Sequence, residues 1–231
     1  YMLADEVGLG KTIEACSIVK IMASDNTSLR ALFVVPGPLV NQWKNELTYK
    51  FDYASELISG QSTIVALEDY LQRERSLKQI TWDILIIDET HRVLSKKALY
   101  DALLQMSKAT SNVLLLSATP IQDRNEEYHR LLTLLSPTQY QDMPLSRFKQ
   151  LVKKQKRIQQ SINIILKRVD RFEDYEEDIL DRIDTINESL EDPQLEKMVS
   201  RLHGQENKLE VIESIISYIC ENYRLERRVI R

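Results

Sequence analysis

The sequence predicts an α/β fold: a mainly parallel sheet carrying a phosphate-binding loop, followed by a helical region. Three observations predict it. Short apolar runs recur through the first 120 residues, helical patterns lie between some of them, and no strand-like run remains beyond Pro137. Continuous apolar runs suit strands buried on both faces of a parallel sheet. Strands alternating with amphipathic helices read as βαβ units, which cover an open sheet.

The elements follow in order. Tyr1 to Leu3 is a short apolar run, and a helical pattern follows from Ile13 to Met22. Ala31-Leu32-Phe33-Val34-Val35, Ile64-Val65-Ala66-Leu67, Ile84-Leu85-Ile86-Ile87 and Val113-Leu114-Leu115-Leu116 are the continuous runs expected to be strands. Helices are expected over residues 12–23, 38–48 and 96–108, then over 146–169, 172–191 and 205–230. Asp192-Pro193 reads as a helix start, with Asp as cap and Pro in the first turn, and Gly204 as a stop. In the last helix Leu209, Ile212, Ile216, Ile219 and Tyr223 fall on one face. The expected division is a nucleotide-binding unit, residues 1–145, and a helical extension, residues 146–231.

Composition narrows the classes. The chain has 231 residues, 43% hydrophobic and 29% charged, which is globular. No apolar run approaches the ~20 residues of a membrane span, and no signal peptide is visible. Cys16 and Cys220 lie far apart in apolar helical contexts and read as small core residues. His91, His129 and His203 lack ligand-type spacing. A reducing, intracellular compartment is the expectation. Net charge is −4, which argues mildly against bulk attraction to nucleic acid. Residues 146–169 nonetheless carry eight Lys or Arg and no acid, ahead of a strongly acidic stretch from Asp170 to Asp192. Such alternation usually marks solvated helix faces, and a phosphate contact is the lesser reading of the basic block.

The chemistry-bearing residues follow strand ends, where ligands of open α/β sheets bind. Leu3 leads into Ala4-Asp5-Glu6-Val7-Gly8-Leu9-Gly10-Lys11-Thr12. Glycines let N–H groups turn toward phosphate, and the following helix presents its positive end. Lys11 suits the β- and γ-phosphates and the Thr12 hydroxyl suits magnesium. The strict loop pattern has glycine at position 5, where this chain has Asp5. Val35 leads into Pro36-Gly37-Pro38, Ile87 into Asp88-Glu89-Thr90-His91, and Leu116 into Ser117-Ala118-Thr119-Pro120. Phosphoryl transfer to water needs one carboxylate for the metal and a group for the water. Asp88 is assigned to magnesium and Glu89 to the water. His91 could bridge to Ser117 or Thr119 across the rim.

Together these segments resemble motifs I, II and III of superfamily-two helicases, and more narrowly the Swi/Snf-type ATPases of the bacterial RapA-like branch. Val35 to Trp43 resembles motif Ia, and Leu131-Leu132-Thr133-Leu134-Leu135-Ser136-Pro137 resembles the leucine-rich helix after motif III. The resemblance covers roughly the first 140 residues. It implies a RecA-like first lobe that binds ATP and Mg2+ through Glu6, Val7, Gly8, Leu9, Gly10, Lys11 and Thr12. It implies hydrolytic roles for Lys11, Asp88 and Glu89, metal held by Thr12 and Asp88, and coupling through His91, Ser117, Ala118 and Thr119. Pro36 and Gly37 would lie near a nucleic-acid backbone. Double-stranded DNA and a second RecA-like lobe are the implied partners, with RNA polymerase or a defence-system subunit as further ones, in a bacterial cytoplasm.

Three features depart from the pattern: Thr90 stands where alanine is commonest, the interval from Trp43 to Ile64 is short, and no upstream glutamine motif reads adenine. The chain reads as a fragment, starting inside a strand and lacking the lobe that carries an arginine finger worth about 10³–10⁵ in turnover. It is therefore expected to hydrolyse ATP hardly at all by itself. An RNA helicase and a nucleotide-gated scaffold whose helical part recruits a partner are the competing readings.

Overall fold

A computed structural model describes residues 1–4, 10–117, 124–204, 207–223 and 229–230. The chain divides into two compact units, residues 1–145 with 228–231, and residues 146–227.

The first unit is the predicted α/β fold. Its strands are β1 (Met2–Ala4), β2 (Ala31–Val35), β3 (Thr63–Ala66), β4 (Ile84–Ile87), β5 (Asn112–Ser117) and β6 (Val229–Ile230). Its helices are α1 (Lys11–Asp25), α2 (Val40–Asn45), α3 (Ala54–Ile58), α4 (Tyr70–Leu77), α5 (His91–Leu94), α6 (Lys97–Ala109), α7 (Asn125–Leu135) and α8 (Pro137–Tyr140). All strand pairs are parallel, in the order β3-β2-β4-β5-β1-β6. Every residue of β2 and β4 is buried, which is why these runs are apolar without alternation. Leu3, Phe33, Val35, Ile84, Ile86, Leu114 and Leu116 form one core with Ala15, Cys16 and Val19 of α1 and Trp43 of α2. The intervening residues Leu32, Val34, Leu85, Ile87 and Leu115 are equally buried and point to the opposite face. Burial pushes the Cys16 thiol up to about 12, so it packs as a small hydrophobe.

Two expectations are corrected. A strand does follow Pro137, because Val229 and Ile230 pair with Met2 and Leu3 at the edge of the sheet. The final helix accordingly ends at Asn222, not residue 230. Two β-branched residues at the end of a long helical pattern gave no periodic signal, and the sheet edge decided their state. The short interval after Trp43 is filled by the end of α2, a π-helical stretch (Glu46–Lys50) and α3, and β3 still pairs along β2.

The second unit consists of α9 (Leu145–Arg168), α10 (Phe172–Leu190), α11 (Pro193–Leu202) and α12 (Lys208–Asn222). Each helix gives an apolar seam at steps of four and three: Ile158, Ile162, Ile165; Ile179, Ile183, Ile186; Leu195, Val199, Leu202; Ile212, Ile216, Ile219. That spacing lets helices interlock along one core. Leu209, expected on the inner face of the last helix, is instead exposed, and Ile215 lies inside. Among the described residues no helix is long and apolar enough to cross a membrane.

Candidate active site

The sheet order brings the expected motifs together. β5 lies between β1 and β4, so motif I, motif III and motif II leave three neighbouring strands on one rim. Ala4 is level with Ser117, and Ile87 with Leu115. The ends of β1 and β4 are two strand spacings apart, about 10 Å. That gap suits a phosphate chain with its metal, approached from both sides by side chains.

On the β1 side, Gly10 takes φ 86°, the left-handed region, and α1 begins at Lys11 without a side-chain cap. A Cβ at Gly10 would meet nothing within 4 Å, so backbone conformation alone demands glycine there. The fifteen-residue helix directs its first-turn donors and positive end out of the rim. Thr12 occupies the second helical position. Asp5 to Leu9, and with them the expected ligands Glu6, Val7, Gly8 and Leu9, lie outside the described residues.

On the β4 side, Asp88 is buried and tightly held. Its N–H extends the β4–β2 ladder to the Val34 carbonyl at 2.9 Å. Trp43 Nε1 donates to Oδ2 at 3.0 Å, and the Glu89 N–H donates to Oδ1 at 2.8 Å. Trp43 is itself fully buried, its ring 5.6 Å from that of Phe33 on β2. Burial raises the Asp88 pKa, opposed by the Trp43 and Glu89 donors, while the Glu89 charge raises it and the Lys11 ammonium lowers it. The lysine and the carboxylate, 77 positions apart in sequence, thus share one electrostatic neighbourhood.

Glu89 carries the strain of the site, with φ 47° in a non-glycine residue. Its Oε2 is buried and has no hydrogen-bond donor among the described residues. His91 Nδ1 lies 3.1 Å from it, without hydrogen-bond geometry. Thr90 makes the link to β5: both its N–H and its hydroxyl reach the Leu116 carbonyl, at 3.0 and 2.8 Å. The departure from alanine therefore supplies an extra tie between motif II and the strand that ends at Ser117. Ala118 and Thr119 lie outside the described residues.

Sequence reasoning missed one connection. The Pro36-Gly37 turn is fastened by Glu68, whose Oε2 accepts from the Gly37 N–H at 2.9 Å and whose Oε1 meets Arg92 Nη2 at 3.2 Å. A Cβ at Gly37 would come within 3.2 Å of Glu68 Oε2, so this glycine serves the clamp. Glu68 follows β3 as Asp88 follows β4, and the strand-end rule applied to Leu67-Glu68 would have found it.

The residues fit a magnesium–triphosphate group. A buried carboxylate, a cation within its field, an uncapped helix start and a buried acceptor without a donor are what such a group needs.

Fold and rim define an α/β RecA-like domain with a phosphate-loop site. The chain belongs to the SNF2-related domain family, whose model matches residues 1–209. It is 34% identical over 165 residues to the RNA polymerase-associated protein RapA of Proteus mirabilis (strain HI4320), covering 61% of this chain and 17% of that protein. It is 26% identical over 260 residues to the RapA of Erwinia tasmaniensis, covering all of this chain and 25% of that protein. The chain thus spans at most a quarter of these relatives. The structure is similar to the SWI2/SNF2 ATPase core of Sulfolobus solfataricus, solved in complex with dsDNA, with a TM-score of 0.54 and 15% identity over 95% of this chain and 60% of that one. This likeness bears on fold. The family is a Swi/Snf-type branch of helicase superfamily two, and this chain carries its first lobe.

Proposed function

We propose that this chain is the ATP-hydrolysing first lobe of a motor that moves along double-stranded DNA. The observation that carries the reading is the convergence of Lys11 and Asp88 beside the orphaned Glu89 Oε2. Lys11 holds the β- and γ-phosphates. Thr12 and Asp88 hold magnesium, which supplies charge neutralisation at those phosphates. Glu89 orients the attacking water and takes its proton at Oε2 as the bond to the ADP leaving group breaks. His91, beside that oxygen, and Thr90, tied to β5, pass the state of the site toward Ser117. The Pro36-Gly37 turn meets the DNA backbone, and Glu68 connects it with Arg92 beyond motif II. A second lobe supplies the arginine finger, so turnover by this chain alone is slight.

The SNF2-related match and the dsDNA in the similar solved structure support DNA over RNA. Bacterial relatives described as RNA polymerase-associated make that enzyme the favoured protein partner. Residues 1–145 serve as the lobe and the helical residues after 145 as its extension.

The test separates binding from chemistry. K11A is expected to weaken binding of a fluorescent ATP analogue about tenfold or more, the worth of a charged hydrogen bond. E89Q is expected to keep that binding and lower hydrolysis about 100-fold or more when a second lobe is present. Robust DNA-stimulated turnover by this chain alone, or full turnover by E89Q, would overturn the reading.

A further inference from the structure

The second unit contains a groove of about 420 Å³ between α9 and α10. Lys153, Lys154 and Arg157 line it with Gln150 and Ser161 on α9, and Thr185 and Ser189 face them from α10. Three cations elsewhere in this unit are ion-paired: Arg168 and Arg182 meet Asp178, and Lys208 meets Glu176. Lys153, Lys154 and Arg157 make no ion pair among the described residues, although α10 carries eight acids. None of those acids lines the groove.

We infer that this groove binds the sugar–phosphate backbone of duplex nucleic acid, as a contact separate from the Pro36-Gly37 turn. The donor set, Lys and Arg with Ser, Thr and Gln, is the one that meets phosphate oxygens. The three cations span just over one turn of α9, about 6 Å of rise, and so can track adjacent phosphates. No aromatic side chain lines the groove, so there is no platform for unstacked bases. Its only apolar residues, Ile158 and Ile186, are buried and offer little to an apolar peptide anchor. The occupant is therefore a backbone, held without sequence preference. This deepens the reading of the chain as part of a DNA motor and rests on it.

Fluorescence anisotropy of a short labelled duplex, titrated with this chain at several salt concentrations, tests the site. The triple variant K153Q/K154Q/R157Q is expected to weaken binding about tenfold or more and to make the log–log salt slope shallower by about 3, one per cation. K149Q/K167Q/K197Q removes the same charge from exposed positions outside the groove, and is expected to stay within about threefold of the parent. Circular dichroism and melting temperature establish that both variants are folded. Equal losses in the two triples would reduce the effect to diffuse charge and overturn the site, as would unchanged binding in the groove triple. Polyglutamate bound through these three cations, with duplex affinity indifferent to them, would make the groove a peptide site instead. Failure of the motor reading appears elsewhere, in the ATP turnover of K11A and E89Q.

Discussion

At the scale of single residues, the site turns on a buried carboxyl whose charged form two donors favour against burial. Asp88 reads in the sequence as a metal ligand, and Trp43, 45 positions away, favours its charged form through Nε1. Burial raises the Asp88 pKa, so protons compete with magnesium at higher pH than they would at an ordinary Asp, near 3.8. Binding of a magnesium–ATP analogue should therefore weaken on acidification before most carboxylates titrate. W43F removes a donor that favours the carboxylate, so its pH profile should move to higher pH. A profile identical to the parent's would show that Trp43 acts only in packing. The linkage has a definite sign. A carboxyl whose pKa is raised on folding contributes stability that is complete below 3.8 and lost as pH rises through its folded value. Ionising Asp88 therefore costs folding stability as pH rises.

Among elements, helix spans and the cap of α11 were legible, and their neighbours were not. Asp192 caps α11 as its sequence suggests, with Oδ1 accepting from the Gln194 and Leu195 N–H groups at 2.7 and 3.4 Å. The sequence did not reveal that Oδ2 also accepts the hydroxyls of Tyr218 and Tyr223 from α12 and its end. The two tyrosines first, then the backbone donors, lower this carboxyl to about 2. Its contribution to stability is present above 3.8 and lost as pH falls through about 2. D192A should lower the melting temperature of the helical unit at neutral pH, and the gap from the parent should close near pH 2. A gap unchanged across that interval would remove the charge from the account. Of the four seams only that of α12 was read from periodicity, and there Ile212, Ile216 and Ile219 hold while Leu209 is exposed. The two-residue strand β6 has no period to read.

On the scale of the molecule, two separate cores imply two cooperative units. Calorimetry should resolve two transitions. Magnesium–ATP should raise only the one belonging to the sheet-bearing unit, by about 2.7 kcal/mol at a hundredfold excess over the dissociation constant. K11A should cut that shift to about half or less at the same concentration. A shift of both transitions together would mean that the units melt as one.

The sequence by itself determined the parallel sheet, the apolar face of α12 from Ile212 to Ile219 and the residue types at the ends of β1, β4 and β5. Continuous runs, helical periods and strand-end polarity are local patterns that survive without knowledge of neighbours. Only the tertiary structure decided that β5 separates the lysine from the acids, and that Trp43 and Glu68 fasten motifs distant in the chain. It alone left three cations of α9 without an acid opposite them. Those are facts of adjacency, set by which strand pairs with which and which helix faces turn together, and no local pattern encodes them.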